Sequence, residues 1–322
     1  MRRREVTAAV AAFSVVLGVR NAAHGQGFDL DSFKPVAPTT GYLCEESTRL
    51  MPVGTLDLSL TFGYAYRPLV VRDQLNGGVA GDIVTYRSTV YLTAAYGLHE
   101  RVDAGYRLPV VLAQAGTVTV DLTGNGGVPR HPAAHALGDL DLLARVRLLG
   151  PPDGHGFRLT LTVPLGLPLG NTDGLVGTGS VSVRPRVIAG WEGARLSTAL
   201  SAGYELRQKT VVPGSTFVVG QAIGAGVGAA YVVLAHKVAF LDTLTVLAEA
   251  SLAIGLAHPE TGSAATPAQA LLGLRTRLPW GLVVQVAGGT GLNRSVGSPR
   301  MRALITVART WDGVPASRNR KP

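Results

Sequence analysis

Charged residues recur at every second position in several segments of the chain. Around 139–148, Asp139, Asp141, Arg145 and Arg147 occupy odd positions, while the even positions are apolar. Alternation with a period of two places the two sets on opposite faces of a β-strand. If the charged face lines a water-filled interior, rings of arginine there favour the passage of anions.

The same parity, followed along the chain, assigns further charged side chains to the inner face. The candidate channel-lining residues are Arg67, Arg87, Arg107, Asp139, Asp141, Arg145, Arg147, Arg184, Arg186, Glu205, Arg207, Glu249, Arg275, Arg277 and Arg302. With Asp57, Asp103, Arg158, Arg195 and Arg300 added, basic residues outnumber acidic ones by about two to one on this face. A modestly anion-selective channel is one interpretation; arginines that pair with the acids and fill the interior are the other.

Residues suited to catalysis are few. No Gly-x-Ser-x-Gly nucleophile motif occurs, and the seven histidines fall in the N-terminal region, in turns or in loops. His131 and His135 are four residues apart, but Pro132 and a Gly/Pro-rich loop surround them and no further metal ligands lie nearby. We therefore predict no cofactor, no metal site and no enzymatic activity, with an outer-membrane lipid-modifying enzyme as a further alternative.

Twelve alternating segments would position these residues. They are 55–72, 82–98, 101–115, 137–149, 156–169, 177–192, 195–208, 216–235, 243–257, 267–278, 282–293 and 300–311. Most exceed the five or six residues of a usual strand and match the roughly 9–11 residues of a tilted transmembrane strand. On one face of 216–235, Gly220, Gly224, Gly226 and Gly228 would let the wall bend and strands approach closely.

The connections alternate between tight turns, such as His99-Glu100, and longer Gly- and Pro-rich loops, such as 116–136. Short turns on one side and long loops on the other are typical of outer-membrane barrels. In hydrocarbon every backbone polar group needs an internal partner, so a sheet must close on itself. We therefore predict an all-β, transmembrane, antiparallel up-and-down β-barrel of about 12 strands, within a range of about 10–14, with both termini in the periplasm.

The composition agrees with this class. Only 16% of the 322 residues are charged, 41 are glycine, and the mean hydropathy is +0.25. Disorder requires low hydropathy, and a disulfide scaffold requires more than the single Cys44. The net charge of +9 is spread along apolar segments rather than concentrated in a basic run, so nucleic acid is not an expected partner.

The ends of the chain have their own signals. Arg2 to Arg4, the apolar stretch 6–19 and Ala23-His24-Gly25 predict a secretory signal peptide. The expected organisation is a signal peptide at 1–25, a periplasmic segment or plug at 26–54, the barrel at 55–311 and a basic tail at 312–322.

Several stretches carry a family resemblance. They begin at Gly27-Phe-Asp-Leu-Asp-Ser-Phe-Lys-Pro35, Tyr64-Ala-Tyr-Arg-Pro68, Leu137-Gly-Asp-Leu-Asp141, Val163-Pro-Leu-Gly166 and Gly291-Leu-Asn-Arg294. The chain resembles the barrel portion of myxobacterial-type outer-membrane proteins of the OmpA family, in which a peptidoglycan-binding domain often follows. Only about eleven residues follow Trp311 here, so the resemblance does not extend to binding of the cell wall.

The combined expectation is a Gram-negative outer-membrane protein that forms a narrow, porin-like passive channel for small polar or anionic solutes. The alternative is a structural barrel with a filled lumen that docks a partner through its long loops. Expected partners are outer-membrane lipids, small solutes and, during biogenesis, the barrel-assembly machinery; a homo-oligomer is left open.

Overall fold

The computed structural model describes residues 27–31, 33–72, 79–120, 129, 131–211, 218–235, 242–256 and 266–312. The predicted signal peptide at 1–25 and the tail beyond Asp312 lie outside these residues, as do Gly124, Gly126, Gly127, His236 and His258. Among the described residues, no helix is both long and apolar enough to cross a bilayer.

The described residues form sixteen strands, of which twelve are long enough to build the wall of a barrel. The wall strands are β1 Leu56–Arg72, β2 Val79–His99, β3 Val102–Ala115, β5 Leu140–Leu149, β6 Gly156–Leu167, β8 Arg186–Glu192, β9 Leu196–Glu205, β12 Ala222–Leu234, β13 Thr243–Gly255, β14 Ala268–Arg277, β15 Leu282–Gly291 and β16 Met301–Trp311. The short strands are β4 Ala136–Leu137, β7 Ser182–Val183, β10 Thr210–Val211 and β11 Val218–Val219.

Antiparallel pairing closes the wall. Each wall strand pairs with the next one along the chain, and β16 returns to β1 with Leu56 opposite Trp311 and Leu60 opposite Val307. Closure leaves no unpaired edge among the wall strands, which is the condition for a sheet to lie in hydrocarbon. The predicted all-β, twelve-stranded antiparallel barrel is confirmed.

Two predicted strands are shorter than expected. The segment predicted at 177–192 contributes only β7 and the wall strand β8, because Pro185 interrupts the ladder and residues 168–181 fold into a loop with a 3-10 turn at Thr172–Gly174. The segment predicted at 216–235 enters the wall only at Ala222, since Val218–Val219 pairs with Thr210–Val211 in a separate hairpin. In both segments the alternating pattern of the sequence continues beyond the observed end of the strand, where Gly and Pro residues interrupt regular pairing.

The connections define two ends of the barrel. Tight turns at 100–101, 150–155, 193–195 and 278–281 lie at the short-turn end. At the long-loop end lie the strand ends that border the segments 116–139, 168–185, 206–221, 256–267 and 292–300. The alternation predicted from the sequence is therefore present in the structure.

The outer face of the wall is apolar. Leu60, Phe62, Leu200, Leu272 and Ile305 are each 40% exposed or more, although they sit in the middle of long strands. Aromatic side chains ring this band at the short-turn end, including the exposed Tyr96, Trp191, Trp280 and Trp311. An apolar band flanked by aromatic girdles is the surface that a transmembrane barrel presents to lipid.

The core lies inside the barrel, around the segment that precedes β1. Residues 52–54 join the wall at the short-turn end, where Val53 bridges to Gly97. From there, counting backwards, the chain runs through the interior to Leu30, whose N–H bonds to Leu175 in the 168–181 loop. Phe33, Tyr42 and Leu43 pack against inward Ile188, Leu247, Leu271 and Leu304. We call residues 27–51 the inner segment.

The first described residues and the ends of the wall lie at different ends of the barrel. Leu56 and Trp311, which are paired, both lie at the short-turn end, as an even number of strands requires. Gly27 lies at the long-loop end, against Thr172 and Gly177. The inner segment therefore spans much of the height of the barrel.

Candidate functional site

The inner segment is held at mid-height by one carboxylate. The side chain of Glu249, on the inner face of β13, accepts hydrogen bonds from the backbone N–H groups of Leu43, Cys44 and Glu45 at 2.9–3.1 Å. The thiol of Cys44 also donates to it at 2.8 Å. Because three backbone N–H groups and a thiol converge on this one side chain, Glu249 anchors this part of the segment.

The inner segment also supplies acids to inward arginines. Asp31 accepts a hydrogen bond from Arg302 Nη2 at 2.7 Å and one from the hydroxyl of Tyr91. Glu45 receives Arg186 Nη1 at 3.0 Å and the Ser201 hydroxyl at 2.6 Å. These two contacts neutralise charge on the wall, because Asp31 and Glu45 are each paired with an arginine of a strand, whereas Asp29 pairs with Lys34 within the segment.

Other arginines pair with acids of the wall itself. Asp141 bridges Arg107 Nη2, at 2.6 Å, and the guanidinium of Arg184. Arg145 meets Asp103 through two bonds of 2.8 and 2.5 Å, and both side chains are almost completely buried. Loss of either partner of such a buried pair would leave the charge of the other without compensation.

The remaining predicted lining residues bind backbone groups or lie near the ends. Arg87 donates to the carbonyls of Gly174 and Leu175, and Arg275 donates to those of Gly41 and Tyr42. Asp139 accepts from Gly170 and Thr178 in the 168–181 loop. Residues nearer the strand ends are Arg67, paired with Asp82, Arg207, paired with Glu205, and Arg277, which is exposed at the end of β14.

The inward arginines therefore do not form a continuous row of unpaired cations. Arg147 is an exception among the buried predicted residues, since its side chain forms neither an ion pair nor a hydrogen bond with any described residue. Most of the others are engaged, many of them by the inner segment.

One cavity of about 240 Å³ remains beside the inner segment. It extends from the long-loop end, at Tyr204, Gly220 and Val296, to Cys44 and Glu45 at mid-height. Its lining combines apolar residues, including Phe28, Leu30 and Ala253, with charged residues, including Asp141, Arg184, Arg186 and Glu205. The cavity is part of the lumen that the inner segment does not fill.

Among the ion-paired side chains that line the cavity, most arginines are more exposed than their carboxylate partners. The side chain of Arg186 is 31% exposed, whereas its partner Glu45 is 3% exposed. The Arg184 and Asp141 pair shows the same order, and Arg207 with Glu205 shows the reverse. A solute in this cavity would therefore meet guanidinium groups before most of the carboxylates.

Sequence parity did not find the acids of the inner segment. Asp29, Asp31 and Glu45 precede the first strand, so no strand pattern assigns them a face. The available signal was the run Phe28-Asp29-Leu30-Asp31, in which apolar and acidic residues alternate just before Phe33. That pattern fits a segment packed on one side and ion-paired on the other.

The described residues hold no group of three or more metal-ligating side chains. His131 and His135 are both exposed, and the ring of His135 bonds to the carbonyl of Leu112 at 2.5 Å. Cys44 is a free cysteine that faces Glu249.

These features define a closed twelve-stranded barrel with a polar lumen that is partly occupied. No family model and no curated protein matches the sequence. Among solved structures, the chain is similar to a COG4313 outer membrane channel from Pseudomonas putida F1, with 15% identity and a TM-score of 0.58 over 86% of this chain and 100% of that one. It is also similar to the NanC porin, with 8% identity and a TM-score of 0.46 over 80% of this chain and 100% of that one. At such identities the likeness concerns the fold.

Proposed function

We propose that the protein is an outer-membrane channel that passes small polar or anionic solutes passively through a narrow lumen. The proposal rests chiefly on the cavity beside the inner segment, which lies inside a closed wall and is lined by partly exposed guanidinium groups. The apolar outer band supports placement in a membrane. The fold shared with a channel from Pseudomonas putida supports the outer membrane in particular.

We further propose that residues 26–54 act as a plug. The support is the set of contacts made by the inner segment, from Leu30 at the 168–181 loop to Met51, whose N–H bonds to Asp103 at 2.8 Å. Such a plug narrows a twelve-stranded lumen to the cavity that remains. The orientation with short turns in the periplasm, the signal peptide, the OmpA-family relation and the use of the barrel-assembly machinery belong to the same proposal.

Planar lipid bilayer recording tests the channel. We expect small, discrete conductance steps from purified protein and, across a KCl gradient, a reversal potential that shows a preference for chloride. The expected preference follows from the greater exposure of Arg184 and Arg186 relative to their carboxylate partners. A preference for potassium would contradict anion selectivity, and a membrane with no conductance would contradict the channel.

A filled structural barrel is the second candidate. The dense ion pairing between the inner segment and the wall favours it, because each pair removes a charge that could bind a solute. The bilayer recording separates the two, since a filled barrel inserts into lipid without conducting. Hydrolysis of outer-membrane lipid by the purified protein would instead support the enzyme alternative.

A further inference from the structure

Arg147 is a buried cation without a partner. It lies near the end of β5 on the inner face, and only 7% of its surface is exposed. Its Nε atom is buried and has no hydrogen-bond partner among the described residues. Burial of an unpaired charge is costly, so proteins normally pair such a group or let it bind a ligand.

A second arginine without a carboxylate partner lies beside it. Arg158, on the inner face of β6, is 2% exposed and donates to the carbonyls of Pro151 and Gly154 at 3.1 and 2.7 Å. Arg147 pairs in register with Thr160, and Arg158 lies two residues further along β6, beside a bulge of the ladder between Arg147 and Leu149. The two guanidinium groups interact electrostatically.

The carboxylates nearest to these two arginines either bind other groups or do not bond to them. Asp103 is bound by Arg145 and by the N–H of Met51. Glu192 is bound by Arg49 and Thr48, and Glu46 interacts with Arg145. Asp153, which is exposed on the 150–155 turn, attracts both arginines without bonding to either, and Arg101 adds another cation close to Arg147. Among the described residues, no carboxylate therefore forms a direct ion pair with Arg147 or Arg158, although Asp153 interacts with both from a longer range.

We propose that Arg147 and Arg158 form a binding site for a small oxyanion at the short-turn mouth of the barrel. Guanidinium groups present forked N–H donors that match the oxygen atoms of phosphate, sulfate or a carboxylate. The site faces the interior, so lipid headgroups on the outer wall do not reach it. It lies at the end opposite the opening of the cavity and does not depend on conduction through the channel.

Isothermal titration calorimetry of the detergent-solubilised full-length protein tests the site. The probe is inorganic phosphate, titrated at constant ionic strength with chloride as the background anion. We expect saturable binding to the wild type and to the matched control Arg300→Gln, whose arginine is exposed at the long-loop end. Arg147→Gln and Arg158→Gln should each weaken binding by about tenfold or more, because each removes a charged donor from the oxyanion.

Two results would overturn the proposal. One is the absence of saturable heat with the wild type, which would mean that water alone solvates Arg147. The other is equal binding by the wild type and the two variants, which would place the anion elsewhere. If the variants do not fold, a selenate soak of wild-type crystals decides: an anomalous peak between the two guanidinium groups supports the site, and no peak there refutes it. A conductance measurement on the same preparation reports separately on the proposed channel.

Discussion

Charged side chains in the lumen form ion pairs, and these pairs differ in how strongly the loss of one partner would destabilise the barrel. Arg145 and Asp103 are both almost fully buried, so neither has water to replace a lost partner. Arg49 and Glu192 differ, because half of the Arg49 side chain is exposed. A surface-exposed cation keeps its hydration, and its ion pair contributes little to stability.

We therefore expect Asp103→Asn to destabilise the folded barrel strongly. The change leaves the Arg145 charge buried without compensation, a defect that costs about 3–5 kcal/mol. Denaturant titration in detergent, followed by tryptophan fluorescence, measures the free energy of unfolding.

The double variant Asp103→Leu with Arg145→Met is the control for that experiment. It removes both charges and should recover most of the lost free energy. If the single and double variants were equally destabilised, the ion pair would not be the cause.

At the scale of elements, the inward glycines of β12 leave space in which the inner segment packs. A Cβ atom added at Gly228 would lie 2.6–2.9 Å from the ring of Tyr42, and one at Gly226 would meet the carboxylate of Glu45. The sequence suggested that these glycines let the wall bend and neighbouring strands approach. In the structure, Gly226 and Gly228 also make room for another part of the chain.

Replacement of Gly228 by alanine should displace the inner segment and increase single-channel conductance. The added methyl group overlaps the buried aromatic ring of Tyr42, which has little space in which to move. Bilayer recording with the variant and the wild type measures the change.

Gly224→Ala is the matched control, because it lies on the same face of the same strand. The atom nearest to an added Cβ there is Nη2 of Arg186, at an ordinary 3.5 Å. Equal conductance of the two variants would contradict the idea that Tyr42 seals the lumen at β12.

At the scale of the whole molecule, the barrel has its ion-paired polar face inside and an apolar face outside. Leu272, in the middle of β14, is 67% exposed although it is a large apolar residue. Such exposure is costly in water and favourable in lipid, so the outer band determines the medium in which the fold is stable.

Leu272→Arg should destabilise the barrel in phospholipid vesicles by about 2–4 kcal/mol, the cost of a lipid-facing arginine near the bilayer midplane. Equilibrium unfolding from vesicles measures this difference. Ser251 lines the cavity instead, so Ser251→Arg should reduce the free energy of unfolding much less. If both variants unfolded alike, the assignment of the two faces would be wrong.

The sequence by itself determined the number and order of the wall strands and the alternation of turns and loops, although β8 and β12 are shorter than predicted. Each of these follows from local rules, because side-chain parity and turn residues act over a few neighbours. Asp141, Arg145 and Arg302 were thus placed on the inner face from sequence alone, and the structure finds all three buried there.

Only the tertiary structure decided what those charges meet. Arg302 lies 271 residues from its partner Asp31, and Glu249 lies more than 200 residues from the backbone groups that it binds. Contacts at such separation depend on closure of the barrel around the inner segment, and no local pattern encodes them. For the same reason the sequence could not tell Arg145, which is paired, from Arg147, two positions further along the same face, which is not.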